Sequence, residues 1–202
     1  MPQKNYLIVL QAIVLFALLI SGLQPFDRIT WWLEVFPVLF GLPLLWLTYR
    51  RWPLTPLLYS LLALHAVILI VGGAYSYARV PLGFTLQEWL HLSRNPYDKI
   101  GHFAQGFVPA LIAREILLGG AYVQGRKMLA FICICIALAT SASYELIEWV
   151  AALILGQGAE EFLGTQGDIW DTQSDMAMAL LGACCALALL SRRHDRQIQK
   201  LR

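Results

Sequence analysis

Six apolar runs, each about as long as a helix that crosses a bilayer, leave this chain little choice of fold. They lie near Tyr6–Gly22, Trp31–Thr48, Pro56–Tyr75, Asp98–Leu118, Met128–Leu155 and Asp171–Leu190. A spanning helix needs about 20 residues, with a range of about 17 to 25. In hydrocarbon every backbone N–H and C=O must be satisfied within the protein, which selects helices. Of the 202 residues, 58% are hydrophobic and 14% charged, whereas an average soluble domain carries about 25% charged residues. The expectation is an all-α, polytopic integral membrane protein, with six transmembrane helices in one bundle and a single transmembrane domain over residues 1–202. The fifth run is overlong and is expected to tilt or project from the bilayer.

Lys4 precedes the first run in the manner of a signal peptide. The run continues to about Gly22 with no A-x-A cleavage site, so it reads as a retained span. Cys133, Cys135, Cys184 and Cys185 all lie inside apolar runs without C-x-x-C spacing. They read as small hydrophobes and not as a disulfide framework. No basic block of the nucleic-acid-binding kind is present.

Basic residues set the expected orientation. Lys4, Arg50, Arg51, Arg126, Lys127, Arg192, Arg193, Arg196, Lys200 and Arg202 fall on one side, and Arg28, Arg79, Arg94 and Lys99 on the other. The positive-inside rule then makes both termini cytoplasmic, with the loop at residues 76–96 and the acidic loop before Asp171 facing outward.

Acidic residues and one imidazole recur between Asn95 and Asp175, within or beside segments that otherwise suit lipid. An ionisable group in hydrocarbon costs at least about 2.5 kcal/mol, which makes such residues functional candidates. Asp98 and His102 are four apart, one turn along one helix face. Gly101 beside them would admit a close neighbour. Glu145 and Glu148 fall about 25 and 30 Å along the run that starts at Met128, so they reach the same outward half. Asp168, Asp171 and Asp175, spaced three and four apart, point the same way if a helix starts near Gly167. Their mutual repulsion would be relieved by a cation.

Asp98, His102, Glu145, Glu148, Asp168, Asp171 and Asp175 are therefore the candidate ligands of a divalent metal (Zn, Mg, Mn or Fe). His102, Asp98 and Glu145 are the candidate catalytic groups, with His102 or a glutamate as general base. The favoured reading is a membrane enzyme with an outward-facing acidic and histidine-bearing pocket. Two others stand beside it: a small transporter or sensor that binds a cation or proton, and a structural membrane subunit.

Four features lie outside this set. Glu34 reads either as an interfacial acid or as a pocket contributor. His65, in the middle of the third run, reads as a proton relay or as a hydrogen-bonded core histidine, and is left out of the site. Arg114 and Glu115 lie about 18 Å deeper than His102 and read as a helix–helix ion pair or an anchor at the inner end. Residues 84–92 read as a short amphipathic helix at the interface.

The stretches Arg94-Asn95-Pro96-Tyr97-Asp98-Lys99-Ile100-Gly101-His102-Phe103, Gln105-Gly106-Phe107-Val108-Pro109-Ala110, Ser143-Tyr144-Glu145-Leu146-Ile147-Glu148-Trp149 and Gln166-Gly167-Asp168-Ile169-Trp170-Asp171-Thr172-Gln173-Ser174-Asp175 resemble the YjdF-like family of small bacterial inner-membrane proteins. The resemblance covers nearly the whole chain and implies a multi-pass inner-membrane protein. Asp98, Lys99 and His102 are also similar to an outline found in VanZ-like membrane proteins. That likeness implies work on a component of the cell envelope, so the expected substrate is a lipid, lipid-linked or other cell-envelope molecule and the pocket is expected to be periplasm-facing.

Overall fold

The computed structural model describes residues 2–156 and 160–201, and among them are eight helices and no strand. The helices are α1 (Pro2–Leu23), α2 (Arg28–Thr48), α3 (Pro56–Tyr75), α4 (Pro81–Trp89), α5 (Tyr97–Gly119), α6 (Arg126–Leu155), the single turn α7 (Glu160–Leu163) and α8 (Asp171–Leu201). The protein is all-helical and its long helices suit a membrane. Leu47 and Ile154 are each 78% exposed, on a surface that only lipid would cover without penalty.

Local chemistry sets the helix starts. Asp27 precedes α2 and its carboxylate accepts from the Thr30 N–H at 2.7 Å. Thr55 caps α3 by accepting from Leu58 N–H, with Pro56 in the first turn, where its missing N–H costs nothing. The short amphipathic helix expected at residues 84–92 appears as α4, displaced toward the N-terminus because Pro81 opens it.

Helices α1 and α2 pack on α3, while α6 and α8 pack on α5, and α3 joins the two groups through α5. The α5–α8 contact is the most extensive. A Cβ at Gly106 would collide with the Ala179 carbonyl, and one at Gly182 with the Phe103 carbonyl. These two glycines let the backbones of α5 and α8 touch, as small residues do in membrane helix pairs. Ala110, Ala137 and Ala183 fill the adjoining seam between α5, α6 and α8.

The six-span expectation needs refinement. Five helices, α1, α2, α3, α6 and α8, are both long and apolar enough to cross a bilayer. At 23 residues α5 is long enough, but Asp98, Lys99, His102, Gln105, Arg114 and Glu115 make it too polar to meet the same standard alone. Those groups are covered, since α5 lies between α3, α6 and α8.

Helix α8 also runs past the expected end near Leu190 to Leu201. The extra turns are amphipathic: His194 and Ile198 are buried, whereas Arg192, Arg193, Arg196 and Lys200 are exposed. Gln197 Oε1 accepts from Leu57 N–H at 2.9 Å, fastening the extension to the start of α3. Beside it, Glu115 accepts from Thr55 N–H, Thr55 Oγ1 and His194 Nε2, each at 2.7 Å, and Arg114 pairs with Asp195 at 2.7 Å. The helix–helix reading of Arg114 and Glu115 thus holds, with partners from α8 and α3. An apolar layer of Leu58, Val108, Leu111 and Ala186 lies in the core between this polar group, near the end of α5, and the polar residues near its start.

Candidate functional site

The start of α5 is fixed by the residues just before it. Asn95 Oδ1 accepts from Tyr97 N–H at 3.0 Å, and Asn95 Nδ2 donates to Val80 O at 3.0 Å. Gly83 makes room for that amide, because any Cβ there would strike it. Asn95 N–H donates to Gln166 Oε1 at 3.1 Å and Gln166 Nε2 returns a bond to Asn95 O at 3.0 Å. Arg94 Nη1 donates to Thr165 O at 2.6 Å. The loop that leads into α8 is therefore registered against the first turn of α5, which sets Asp171 and Asp175 opposite Asp98 and His102.

His102 lies at the middle of the group. Its Nε2 is 3.4 Å from Asp98 Oδ1 and 3.8 Å from Asp175 Oδ1, and its Nδ1 is 3.7 Å from Glu145 Oε1. Nδ1 also lies 3.0 Å from Gln105 Oε1, within hydrogen-bonding range. When Nδ1–H donates to that amide oxygen, the Nε2 lone pair is left facing Asp98 and Asp175, the tautomer that can ligate a cation. One ligand atom each from Asp98, His102 and Asp175 lie within 4.8 Å of one another. Two further oxygens, Asp98 Oδ2 and Glu145 Oε1, are buried and make no hydrogen bond. A buried carboxylate oxygen left so is costly unless water, a proton or a cation serves it.

The chain supplies cations of its own on the side facing α8. Lys99 Nζ reaches Asp175 Oδ1 at 2.6 Å, Asp171 Oδ1 at 2.9 Å and Ser174 Oγ at 2.6 Å. Arg94 Nη2 reaches Asp171 Oδ1 at 2.6 Å and Asp168 Oδ2 at 3.2 Å. Partial burial works against the Arg94 charge, but its hydrogen bond to Asp171 and the charges of Asp171 and Asp168 outweigh that and hold its pKa above the usual arginine range. Asp168 lies at the rim, about one-third exposed, and its Oδ1 accepts from Trp170 N–H at 2.9 Å.

Toward α2, a cavity is lined in part by Glu34, Tyr77, Asp98, His102, Tyr144 and Glu148. It offers about 20 Å³ to the centre of a water-sized sphere, enough for roughly one water or one ion. Tyr144 Oη donates to Glu34 Oε2 at 2.9 Å. Tyr77 crosses above Gly101, where a Cβ would come within 2.8 Å of its ring. Burial, reinforced by Glu34, holds the Tyr77 phenol far above its ordinary pKa, so it stays a neutral donor.

Of the seven predicted residues, Asp98, His102, Glu145 and Asp175 converge on the imidazole, and Glu148 lines the adjoining cavity. Asp171 and Asp168 instead answer Lys99 and Arg94, so relief of the predicted repulsion comes largely from the protein itself. Sequence reasoning used those two cations as topology markers and within the family resemblance, and gave neither a place in the site. Glu34 belongs to the cavity, as the sharper of its two readings had it, and is 3% exposed. Tyr77 could have been found by no spacing rule. His65 is not a cavity residue, and its Nε2 is buried without a hydrogen bond.

Comparison with known proteins agrees with this membrane architecture. A family model described as "Predicted membrane protein (DUF2238)" matches residues 6–196. The chain is 63% identical over 183 residues to the inner membrane protein YjdF of Escherichia coli (strain K12), covering 91% of this chain and 88% of that protein. No solved structure matches. With a family match across almost its full length and a relative this similar, the chain belongs to the DUF2238 family of predicted membrane proteins and is a multi-pass protein of the inner membrane.

Proposed function

We propose that the group around His102 is a divalent-cation site in the outward half of a six-span bundle whose termini are cytoplasmic. The site would serve a metal-dependent reaction on a lipid or lipid-linked envelope substrate. The observation that carries this reading is the gathering of Asp98, His102 and Asp175 within 4.8 Å, beside two buried carboxylate oxygens that make no hydrogen bond. Charge supports it. Among the described residues, seven carboxylates, those of Glu34, Asp98, Glu145, Glu148, Asp168, Asp171 and Asp175, gather here with two permanent cations, Arg94 and Lys99.

The sixth span in this reading is α5, its polarity matched by α8 and α3. The expected orientation puts Arg192, Arg193, Arg196 and Lys200 in the cytoplasm with the extension of α8, in keeping with the positive-inside rule. The cation would be held by Asp98, His102 and Asp175, with Glu145 against the other imidazole nitrogen. It would supply Lewis acidity to a substrate oxygen. Glu145, unbonded at Oε1, is the protein's own candidate base, and Gln105 orients the imidazole.

Access from lipid is favoured by a shallow apolar trough of about 420 Å³ between α6 and α8, lined by Leu138, Ala139, Ala142, Met176, Ala177 and Leu180. Ala142 lies three residues before Glu145 and Met176 directly follows Asp175, so one end of the trough lies at the depth of the acidic group. Transport across the bundle is disfavoured by the Leu58, Val108, Leu111 and Ala186 layer on the inward side.

The test is elemental analysis and Mn²⁺ or Zn²⁺ titration of the purified full-length protein. The wild type is expected to bind about one ion, and Asp98→Asn and His102→Ala to lose it while remaining folded. No binding by folded wild type after supply of either ion would overturn the reading.

A further inference from the structure

Asp175 faces two claimants. Its Oδ1 lies 2.6 Å from Lys99 Nζ and 3.8 Å from His102 Nε2, and its side chain is almost wholly buried. The Lys99 ammonium therefore borders the space between Asp98, His102 and Asp175. It is not bound to Asp175 alone, because Asp171 Oδ1 at 2.9 Å and Ser174 Oγ at 2.6 Å hold it as well. Both of those partners lie toward the start of α8, away from the imidazole.

We infer that Lys99 is a tethered competitor for the cation site, occupying Asp175 when the site is empty and withdrawing onto Asp171 and Ser174 when a divalent cation arrives. The inference rests on the cation reading above and concerns how that site is regulated. An ammonium and a dication on one carboxylate oxygen repel each other strongly in a buried setting. Lys99 can yield without becoming unpaired, because two of its three partners remain. Asp171 is already shared by Arg94 and Lys99, so the retreat gives up the Asp175 carboxylate with no new partner in exchange, which favours return once the ion leaves. The arrangement keeps the acidic group from standing empty and uncompensated, and it weakens binding so that the ion can exchange.

The decisive measurement compares Mn²⁺ binding to detergent-purified full-length wild type, Lys99→Met and Lys99→Gln, read from loss of the free-ion electron paramagnetic resonance signal. Each Lys99 variant is expected to bind about ten-fold tighter than wild type or better, since removal of a nearby like charge is worth at least that much in a buried site. Thermal stabilisation by Mn²⁺ should likewise be larger in the variants. This second readout serves if one of them is less stable without the ion. Lys99→Gln keeps a donor for Ser174 and guards against an unfolded Lys99→Met.

Equal or weaker binding by the folded variants, with wild type still binding, would overturn the competitor role and make Lys99 a strut between α5 and α8. Failure of wild type and both variants to bind at all would instead overturn the cation reading, and this inference with it.

Discussion

Glu115 on α5 and His194 on α8 meet at 2.7 Å, and neither is more than 1% exposed. This contact lies at the opposite end of the α5–α8 pair from His102, so it tests the pairing of the two helices without touching the candidate site. His194→Ala should leave Glu115 with only its two Thr55 donors and cost about 1 to 3 kcal/mol. A lower unfolding temperature in detergent, with cation binding retained in the folded fraction, is the expected result.

Gly106 and Gly182 should tolerate no side chain. Gly106→Val drives a side chain into the Ala179 carbonyl, and overpacking of this kind costs about 1 to 3 kcal/mol or more. Gly41 meets nothing within 4 Å, so Gly41→Ala should be neutral or stabilising by up to about 1 kcal/mol. Thermal unfolding of the two variants side by side checks the contrast.

Arg94 ties Thr165, Asp168 and Asp171 to the start of α5. Arg94→Ala should therefore speed backbone hydrogen exchange across residues 164–171 while the inner turns of α5 and α8 stay protected. Exchange that rises equally along both helices would show that Arg94 supports the whole bundle instead.

Orientation is open to labelling. In a background with Cys133, Cys135, Cys184 and Cys185 replaced by alanine, a cysteine at Trp170, which is 63% exposed, should react with a membrane-impermeant maleimide in intact spheroplasts. One at Arg193, exposed on the extension of α8, should react only after lysis. The reverse pattern would invert the proposed topology.

Much of the architecture was legible because the membrane imposes it. The bounds of α3 coincide with the expected run, Pro56–Tyr75, because Thr55 and Pro56 mark its start and Ser76, in the left-handed region, its end. The convergence on His102 was legible from spacing and depth. The roles of Lys99 and Arg94 were not, since a charge count assigns a cation to a side of the membrane without saying what it touches. The last turns of α8 escaped for a related reason. Their burial depends on Glu115 and Leu57 lying opposite, a fact of packing that hydropathy along the chain does not contain.

The dependence of α5 on α8 bears on how this protein is made. Partners for Lys99 and Arg114, and one partner of Glu115, are supplied by Asp171, Asp175, Asp195 and His194, all on α8, which is synthesised after α5 and α6. A charged residue at the centre of an isolated inserted helix costs about 2.5 to 3.5 kcal/mol. The nascent α5 should thus wait at the translocon or the interface until α8 has been made. Loss of α8 would then strand α5, and the product should be a substrate for membrane quality control.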